Sequence, residues 1–300
     1  MIFYNMKFTK IQWGGVILFS VFVVGEIALR CYGFAKAPLY FASDKYEYMA
    51  CPNQKGMRFG NHYYYNAYSQ RSEEPDSSKM IVLGLGDSVL FGGVQTDQAD
   101  LATSLFSEET GMQMLNISAG SWGPDNCAAY LKEKGLFTAQ SLFLLVSSHD
   151  AYDNMDFQPT VGVHPSYPDR QYLLGWAELI NRYLLPRLFP DKKKGIDPDQ
   201  QVLVGIRKNG KTFNPGFDEL KSIADSAGIF LILYLHAEQS EMKEGEYNDQ
   251  GTQIIAWAKE KGVRLVKELD YPFTVDDYRD SIHLNKKGQR KLATIMEGLF

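Results

Sequence analysis

The stretch Met80–Gly93, MIVLGLGDSVLFGG, joins an apolar run to a polar turn that carries an acid and a serine. The run Met80–Leu85 predicts a buried strand, because a short, continuous apolar segment bounded by glycines is typical of a strand covered on both faces. The glycines allow the backbone to turn tightly after this strand. They do not explain Ser88, which either caps a helix or takes part in chemistry.

From this strand onward, apolar strands alternate with helices, several of which end at a glycine. The predicted strands are Met80–Leu85, Met114–Ser118, Ser141–Val146, Ile229–Leu235 and Val263–Val266. The predicted helices are Leu101–Thr110, Asn126–Lys134, Phe217–Ala227, Thr252–Lys261 and Lys286–Leu299. This alternation indicates a doubly wound, three-layer α/β/α domain with a five-stranded, mainly parallel sheet. Such sheets place their sites outside the carboxyl ends of the strands, where the GDS and SSHD stretches follow the first and third strands.

Composition limits the class of protein. The chain has 300 residues, of which 45% are hydrophobic, and a formal net charge of −5. The apolar content suits one large domain with appendages, and the acidic balance argues against nucleic acid as a partner. The three cysteines, Cys31, Cys51 and Cys127, contain no C-x-x-C pair, which disfavours a zinc or redox site. A disulfide between Cys31 and Cys51 and two separate thiols are both compatible with the sequence.

The N-terminal region contains a long apolar segment, Ile11–Leu29, IQWGGVILFSVFVVGEIAL. As a helix it would rise by about 28 Å, close to the thickness of a bilayer core. We predict that residues 1–35 form a cytoplasmic tail and an uncleaved transmembrane anchor, with the main domain periplasmic or extracellular. Glu26 lies near the outer end, where its carboxylate could reach the lipid headgroups. A cleaved signal peptide and a buried helix of the globular domain are the alternatives.

The remaining chain divides into a connector and a main domain. Residues 36–79 are predicted to form a connector with local structure, and residues 80–300 form the domain. An insertion at about 151–212 opens with an aromatic, proline-rich loop and continues as an apolar-faced helix, Leu174–Leu185, which Pro186 would end. A long insertion at the site edge is typical of a lid or binding loop. A helix that only packs over the sheet is the other interpretation.

A second polar motif, Asp280–His283 (DSIH), lies just before the last predicted helix. An aspartate three residues before a histidine can hold the imidazole while its other nitrogen faces a serine. Together with Gly86–Ser88 (GDS), in this order along the chain, the motif resembles those of the SGNH/GDSL hydrolase superfamily. The resemblance implies a flavodoxin-like SGNH fold, Ser88 as the nucleophile, His283 as the general base and Asp280 as the orienting acid.

The family's other motifs concern the oxyanion hole. Gly120 falls where the family uses a glycine amide, beside the backbone amide of Ser88. The third motif departs from the family, because Gly-x-Asn-Asp is replaced by Ser147–Asp150 (SSHD). His149 thus replaces the asparagine that donates to the oxyanion, and an imidazole N–H can fill the same role. Asn154 is a second candidate donor.

The resemblance covers about residues 78–300. Other side chains at the same sheet edge are candidate substrate contacts: Asp87, Trp122, Asp150, Tyr152 and His236. For His236, a structural histidine is the competing interpretation. The spacing of Asp150, Asp153 and Asp156 does not match a calcium-binding loop, so we predict no metal. We also predict no cofactor, since GLGDSVLFGG lacks the lysine of a phosphate-binding loop and the spacing of a dinucleotide fingerprint.

These features predict a serine-dependent carboxylic-ester hydrolase, an acyl or acetyl esterase, at the cell envelope. Its substrate would be a small-molecule or glycan acyl ester, because aromatic loops suit stacking on sugar rings. Two alternatives stay open. An O-acyltransferase would use the same triad and pass the acyl group to a sugar hydroxyl. A catalytically silent binding module would keep only the fold, and the substitution by His149 favours this alternative. A serine-directed probe separates enzyme from silent module, and product analysis separates hydrolase from transferase.

Overall fold

The structure, a computed structural model, describes residues 9–189, 206, 208 and 210–300. Its first element is the helix α1, Lys10–Cys31, which Thr9 caps. The mean hydropathy reaches 1.8 over an 18-residue window, and among the described residues α1 is the one helix long and apolar enough to cross a bilayer. Large apolar side chains are exposed along most of its length. By length and composition, α1 is a candidate membrane anchor or signal sequence.

Residues 36–79, predicted as a connector, contain two antiparallel hairpins. The first pairs β1 with β2, and the second pairs β3 with β4: Tyr40–Ser43, Glu47–Ala50, Gln54–Arg58 and Asn61–Tyr65. Tyr48 and Tyr65 of these hairpins are buried in the main hydrophobic core. The segment is therefore packed onto the sheet domain.

Five parallel strands form the central sheet: β5 Ile81–Gly86, β6 Gln113–Ser118, β7 Ser141–Val146, β8 Phe230–Leu235 and β9 Arg264–Lys267. They lie in the order β6-β5-β7-β8-β9, and every neighbouring pair is parallel. This is the strand order of flavodoxin-like sheets. The predicted fold class is confirmed, and each predicted strand agrees with the observed one to within a residue at either end.

Helices cover both faces of the sheet. The longer ones are α3 Ala102–Thr110, α4 Pro124–Lys134, α7 Gly216–Ala227, α9 Asp249–Glu260 and α10 Lys286–Glu297, and the short ones include α2 Ser88–Phe91 and α8 Gln239–Glu244. One core lies between the sheet and α4, α7 and α9, where Phe217 and Ile254 are fully buried. The other lies between the sheet and α3 and α10, where Phe106 and Leu292 are fully buried. Burial on both faces explains why β5 and β7 are almost entirely apolar.

The insertion contains a continuous helical segment over residues 175–188, here called the insertion helix. It consists of α5 Gly175–Glu178, a π-helical segment Leu179–Leu184 and α6 Leu185–Leu188. The prediction that Pro186 ends this helix is wrong. Pro186 is the second residue of the last α-helical segment, α6, in the first turn, where a missing N–H is tolerated. Residues 190–205 of the insertion lie outside the described residues.

The three cysteines are free thiols in the structure. Cys31 is exposed, Cys51 is partly buried and Cys127 is buried. Burial raises the pKa of the Cys51 and Cys127 thiols, which makes both less reactive. The disulfide between Cys31 and Cys51 that the sequence left open is not formed.

Candidate active site

Ser88 lies two residues after the end of β5, at the first position of the short helix α2. Asp87 is the cap of this helix, because its Oδ1 accepts the N–H of Val89 at 2.8 Å. No hydrogen-bond partner for the Ser88 hydroxyl lies among the described residues. Asp87 therefore satisfies the helix end, and the Ser88 hydroxyl stays available for chemistry.

Asp280 and His283 meet in the loop before α10. The Nδ1 atom of His283 lies 2.9 Å from both carboxylate oxygens of Asp280. Asp280 also accepts the backbone N–H groups of His283 at 2.7 Å and Ile282 at 3.1 Å. Burial alone would raise the pKa of Asp280, but these hydrogen bonds outweigh it and hold the pKa well below its ordinary value. With Nδ1–H directed at this carboxylate, Nε2 is the basic nitrogen of His283.

A cleft of about 760 Å³ lies at the carboxyl edge of the sheet and brings together Ser88, Gly120, His149 and His283. Six aromatic rings line it: Tyr40, Phe59, Phe91, Tyr152, Tyr167 and Tyr183. Four cationic side chains also line it: Arg58, Arg182, Lys208 and Arg279. A cleft of this size and mixed lining is typical of a small-molecule site.

Gly120 is fixed at the cleft by two buried tyrosines. Its carbonyl accepts the hydroxyls of Tyr48 and Tyr167, each at 2.8 Å. A Cβ atom at this position would lie 2.6 Å from the Tyr167 hydroxyl oxygen, so only glycine fits without displacing that ring. The backbone N–H groups of Gly120 and Ser88 have no acceptor within the described part of the chain. Both are therefore available as hydrogen-bond donors at the sheet edge.

His149 lies among four carboxylates. Its Nδ1 is 3.1 Å from Glu238 Oε1, and its Nε2 is 3.9 Å from the nearest oxygens of Asp87, Asp150 and Asp153. Burial alone would lower the pKa of His149. The Asp150 carboxylate and the hydrogen bond to Glu238, followed by the other two carboxylates, raise it to about 10. His149 is therefore an imidazolium at neutral pH, with a hydrogen on both ring nitrogens.

In this protonation state, one of the two N–H donors of His149 has no acceptor within hydrogen-bond distance. Nδ1–H donates to Glu238, whereas the distances from Nε2 to its neighbouring carboxylates exceed hydrogen-bond length. The His149 side chain is 35% exposed and lines the cleft. An ionised donor makes hydrogen bonds roughly twice as strong as a neutral one. His149 can thus offer Nε2–H to an anion in the cleft.

Asn154, the other predicted donor, is not at the cleft. When its amide is oriented as a donor, the nitrogen lies 2.9 Å from the Tyr152 carbonyl and 3.2 Å from the Thr212 carbonyl. The side chain therefore satisfies local backbone, and the prediction that it serves an oxyanion is wrong.

Asp87 and Asp150 are buried beneath the cleft, so the prediction that they contact substrate is wrong. One carboxylate oxygen of each residue accepts a backbone hydrogen bond. Asp87 accepts the N–H of Val89, and Asp150 accepts the N–H of Ser147 at 2.7 Å. The other oxygen of each has no partner among the described residues. Burial raises the pKa of Asp150 well above its ordinary value.

Asp87, His149 and Asp150 also form the one group of described residues with ligand atoms close enough for a metal ion, all within 4.8 Å of one another. A proton on His149 and a metal ion at this place exclude each other, because an imidazolium has no free lone pair. In the protonated state, His149 places a positive charge beside Asp87 and Asp150.

The other predicted substrate contacts are Tyr152, Trp122 and His236, and only Tyr152 lies at the cleft. Trp122 is fully buried, and its indole N–H donates to the Tyr48 carbonyl at 2.9 Å. The prediction that Trp122 contacts substrate is therefore wrong. Its apolar ring joins the core between the sheet and α4, which the position after β6 alone does not show.

His236 is fully buried as well, and the structural interpretation applies to it. Its Nδ1 lies 2.7 Å from Glu268, and its Nε2 lies 2.7 Å from the Ile282 carbonyl. Burial opposes protonation, but the Glu268 carboxylate outweighs it and raises the pKa of His236. Because Ile282 precedes His283, this buried pair holds the loop that carries the basic histidine.

Arg71 was missed by the sequence reasoning. It is buried and donates to three backbone carbonyls, those of Phe91 at 2.6 Å, Gly93 at 2.5 Å and Thr96 at 2.8 Å. These contacts fix the loop that follows α2. No local sequence pattern marks this role, since any residue offers a carbonyl.

Comparison with known proteins agrees with this architecture. No family model and no curated protein matches the chain. Solved structures do match, among them a putative lipolytic protein of the G-D-S-L family from Desulfitobacterium hafniense DCB-2, with 11% identity, a TM-score of 0.42 and coverage of 74% of this chain and 100% of that one. The lipase/acylhydrolase from Enterococcus faecalis matches with 12% identity, a TM-score of 0.44 and coverage of 73% and 94%. The psychrotrophic esterase EstA from Pseudoalteromonas sp. matches with 14% identity, a TM-score of 0.38 and the same coverage. Each of these identities is below 15%, and each TM-score is below 0.5.

Proposed function

We propose that the chain is a serine-dependent carboxylic-ester hydrolase of the SGNH type. One observation carries this proposal: Ser88 and the hydrogen-bonded pair Asp280–His283 come from opposite ends of the domain and line one cleft. The Gly120 amide lies in the same cleft. A serine hydroxyl needs a base and an oxyanion site to act as a nucleophile, and this cleft holds candidates for both.

The reaction follows from the chemistry of these groups. Ser88 Oγ attacks the ester carbonyl while His283 Nε2 accepts the hydroxyl proton, and Asp280 stabilises the resulting imidazolium. The tetrahedral oxyanion accepts hydrogen bonds from the Ser88 and Gly120 amides and from His149 Nε2–H. When the intermediate collapses, His283 returns the proton to the leaving alcohol. Water then attacks the acyl-enzyme by the same route and releases the acid.

The substrate that we propose is an O-acylated glycan. Three of the aromatic rings that line the cleft, Phe59, Tyr152 and Tyr183, are partly exposed and offer flat apolar faces on which sugar rings can stack, whereas Tyr40, Phe91 and Tyr167 are buried. Transfer to a sugar hydroxyl would use the same acyl-enzyme. Product analysis with a glycan acceptor therefore distinguishes a transferase, which yields acylated acceptor, from a hydrolase, which yields free acid.

We further propose that α1 is retained as a membrane anchor, with the catalytic domain periplasmic or extracellular. The Glu26 carboxylate of α1 accepts the backbone N–H groups of Gly175 at 2.9 Å and Trp176 at 3.1 Å. Glu26 therefore caps the insertion helix instead of reaching the headgroups. Cleavage after Leu29 would remove this cap and leave those N–H groups unpaired, which favours an anchor over a signal peptide.

Hydrolysis of a small acetyl ester by the detergent-solubilised full chain tests the function. We expect Ser88→Ala to abolish turnover and Ser121→Ala to preserve most of it. Ser121 is a matched control, because it lines the same cleft but accepts the Ile206 N–H at 2.9 Å. Substantial turnover by folded Ser88→Ala would exclude Ser88 as the nucleophile, and an inactive, folded wild type would favour a silent binding module.

A further inference from the structure

The insertion helix carries an apolar face that the described residues leave exposed. Leu173, just before the helix, is 86% exposed, and Phe189, just after it, is 75% exposed. Between them the exposed apolar side chains are Leu174, Ile180, Leu184, Leu185 and Leu188. Ile180, Leu184 and Leu188 follow one another at intervals of four residues, which places them on one stripe of the helix. A contiguous apolar patch of this kind marks a contact surface.

The opposite face of the helix is packed and charged. Glu178 forms a buried ion pair with Arg58 and accepts the Ala35 N–H at 2.6 Å. The Tyr183 ring packs edge-on against Phe34. Apolar residues thus face outward although the inner face has polar partners, which is the reverse of an ordinary surface helix.

The helix begins beside the outer half of α1. The Trp176 indole N–H donates to the Phe22 carbonyl at 3.0 Å, and the two rings stack with centroids 6.2 Å apart. Phe22 lies seven residues before Leu29, the end of the apolar segment, which corresponds to about 10 Å along the helix axis. If α1 spans the bilayer, Trp176 therefore lies in the outer leaflet, about 10 Å from the outer end of the apolar segment, and tryptophan is enriched toward that interface.

From this placement we propose that the exposed apolar face of the insertion helix lies in the interfacial region of the lipid bilayer and holds the mouth of the cleft at the membrane surface. The proposal rests on the anchor part of the proposed function. A bilayer is the occupant because the helix begins in contact with the exposed apolar surface of α1, where Trp176 packs on Phe22. Amphipathic helices lie at about 5–10 Å depth in this region.

The helix also connects this face to the cleft. Arg182 and Tyr183 line the cleft, and Arg58, the ion-pair partner of Glu178, lines it as well. The cleft wall and the membrane-facing stripe are thus two sides of one helix. Substrates held at the bilayer surface would reach Ser88 without leaving the membrane plane.

Nitroxide labels on the full chain test this placement. Cysteines replace Leu184 or Leu188 in a background without native cysteines, and the protein is reconstituted in phosphatidylcholine–phosphatidylglycerol nanodiscs. Phe19→Cys in α1 is the control within the bilayer. Phe230→Cys is the matched water-facing control, because Phe230 is 77% exposed at the opposite edge of the sheet. Collisions with oxygen report lipid contact, and collisions with a water-soluble nickel complex report water.

We expect the labels at Leu184 and Leu188 to be oxygen-rich and nickel-poor, as at Phe19, with an oxygen-to-nickel ratio several-fold above that at Phe230. Labels at Leu184 and Leu188 that match Phe230, while Phe19 remains in lipid, would overturn this inference and leave the anchor intact. A nickel-rich Phe19 would overturn the anchor and this inference together. Spin–spin coupling between Leu184 labels that vanishes on dilution with unlabelled chain would assign the face to a second copy and also overturn it.

Discussion

His149 Nδ1 lies 3.1 Å from Glu238 Oε1, and this contact leaves Nε2–H as the free donor of the imidazolium. The sequence alone left the tautomer of His149 undetermined. Burial opposes protonation, but the acidic residues around the imidazole, Asp150 and Glu238 foremost, raise its pKa to about 10 and favour a proton on both nitrogens. Under the proposed function, His149 can therefore supply an oxyanion donor that carries a positive charge.

His149→Ala should lower the acylation rate by about 10²–10³, the usual effect of losing one oxyanion donor, and should change substrate binding far less. His149→Asn should keep much of the activity, since an amide N–H can donate to the same place. Asn154→Ala is the control and should turn over nearly normally. Pre-steady-state kinetics and melting temperatures of the three variants measure this. A large rate loss in Asn154→Ala beside a near-normal His149→Ala would reverse the assignment.

The same cluster should make stability depend on pH. The folded-state pKa of His149, about 10, lies above the ordinary histidine pKa of 6.5. The charge on His149 therefore stabilises the fold fully below pH 6.5, and this contribution declines as pH rises toward 10. The melting temperature of wild type minus that of His149→Asn should fall between pH 7 and pH 10. A difference that stays constant over this range would show that His149 is not charged in the folded protein.

The buried pair His236–Glu268 should be needed for both stability and the position of His283. His236→Phe leaves Glu268 buried without its cation, which typically costs about 3–5 kcal/mol. We expect lower stability in urea and a lower kcat, because Ile282 loses its donor. Adding Glu268→Leu should recover part of the stability and little of the kcat. If stability and kcat recovered together, His236 would affect kcat only through the stability of the fold.

Gly120→Ala should reduce activity, because its Cβ would lie 2.6 Å from the Tyr167 hydroxyl oxygen. This clash would displace the backbone amide at position 120. Tyr167→Phe removes that oxygen, and the double variant Gly120→Ala/Tyr167→Phe should regain part of the lost kcat. Tyr167→Phe alone is the control and should retain more activity than Gly120→Ala. If the double variant regained no activity, the effect of Gly120→Ala would not come from the contact with the Tyr167 hydroxyl.

The sheet was predictable because its signals are local. Strands buried on both faces are continuous apolar runs, as β7 illustrates with SLFLLV. Asp280 and His283 are three residues apart, so their contact follows from one turn of chain. Ser88 was predictable as a site residue because it follows the first strand of a parallel sheet.

The supporting contacts were not predictable, because they join segments far apart in sequence. Tyr48 and Tyr167 reach the Gly120 carbonyl from the first hairpin and from the insertion. The burial of Asp87 and Trp122 depends on how α2 and α4 pack, and a linear pattern at the sheet edge does not contain that information. Their polar atoms consequently serve the backbone, although their positions in sequence suggested the cleft.

Mapping the adduct of a fluorophosphonate probe on the folded full chain tests the central claim most directly. The probe phosphonylates an activated serine, and mass spectrometry of the digested protein locates the modification. We expect a single adduct at Ser88 that is lost in Ser88→Ala, strongly slowed in His283→Ala and retained in Ser121→Ala. An adduct at another serine, or a folded wild type that does not react, would contradict it.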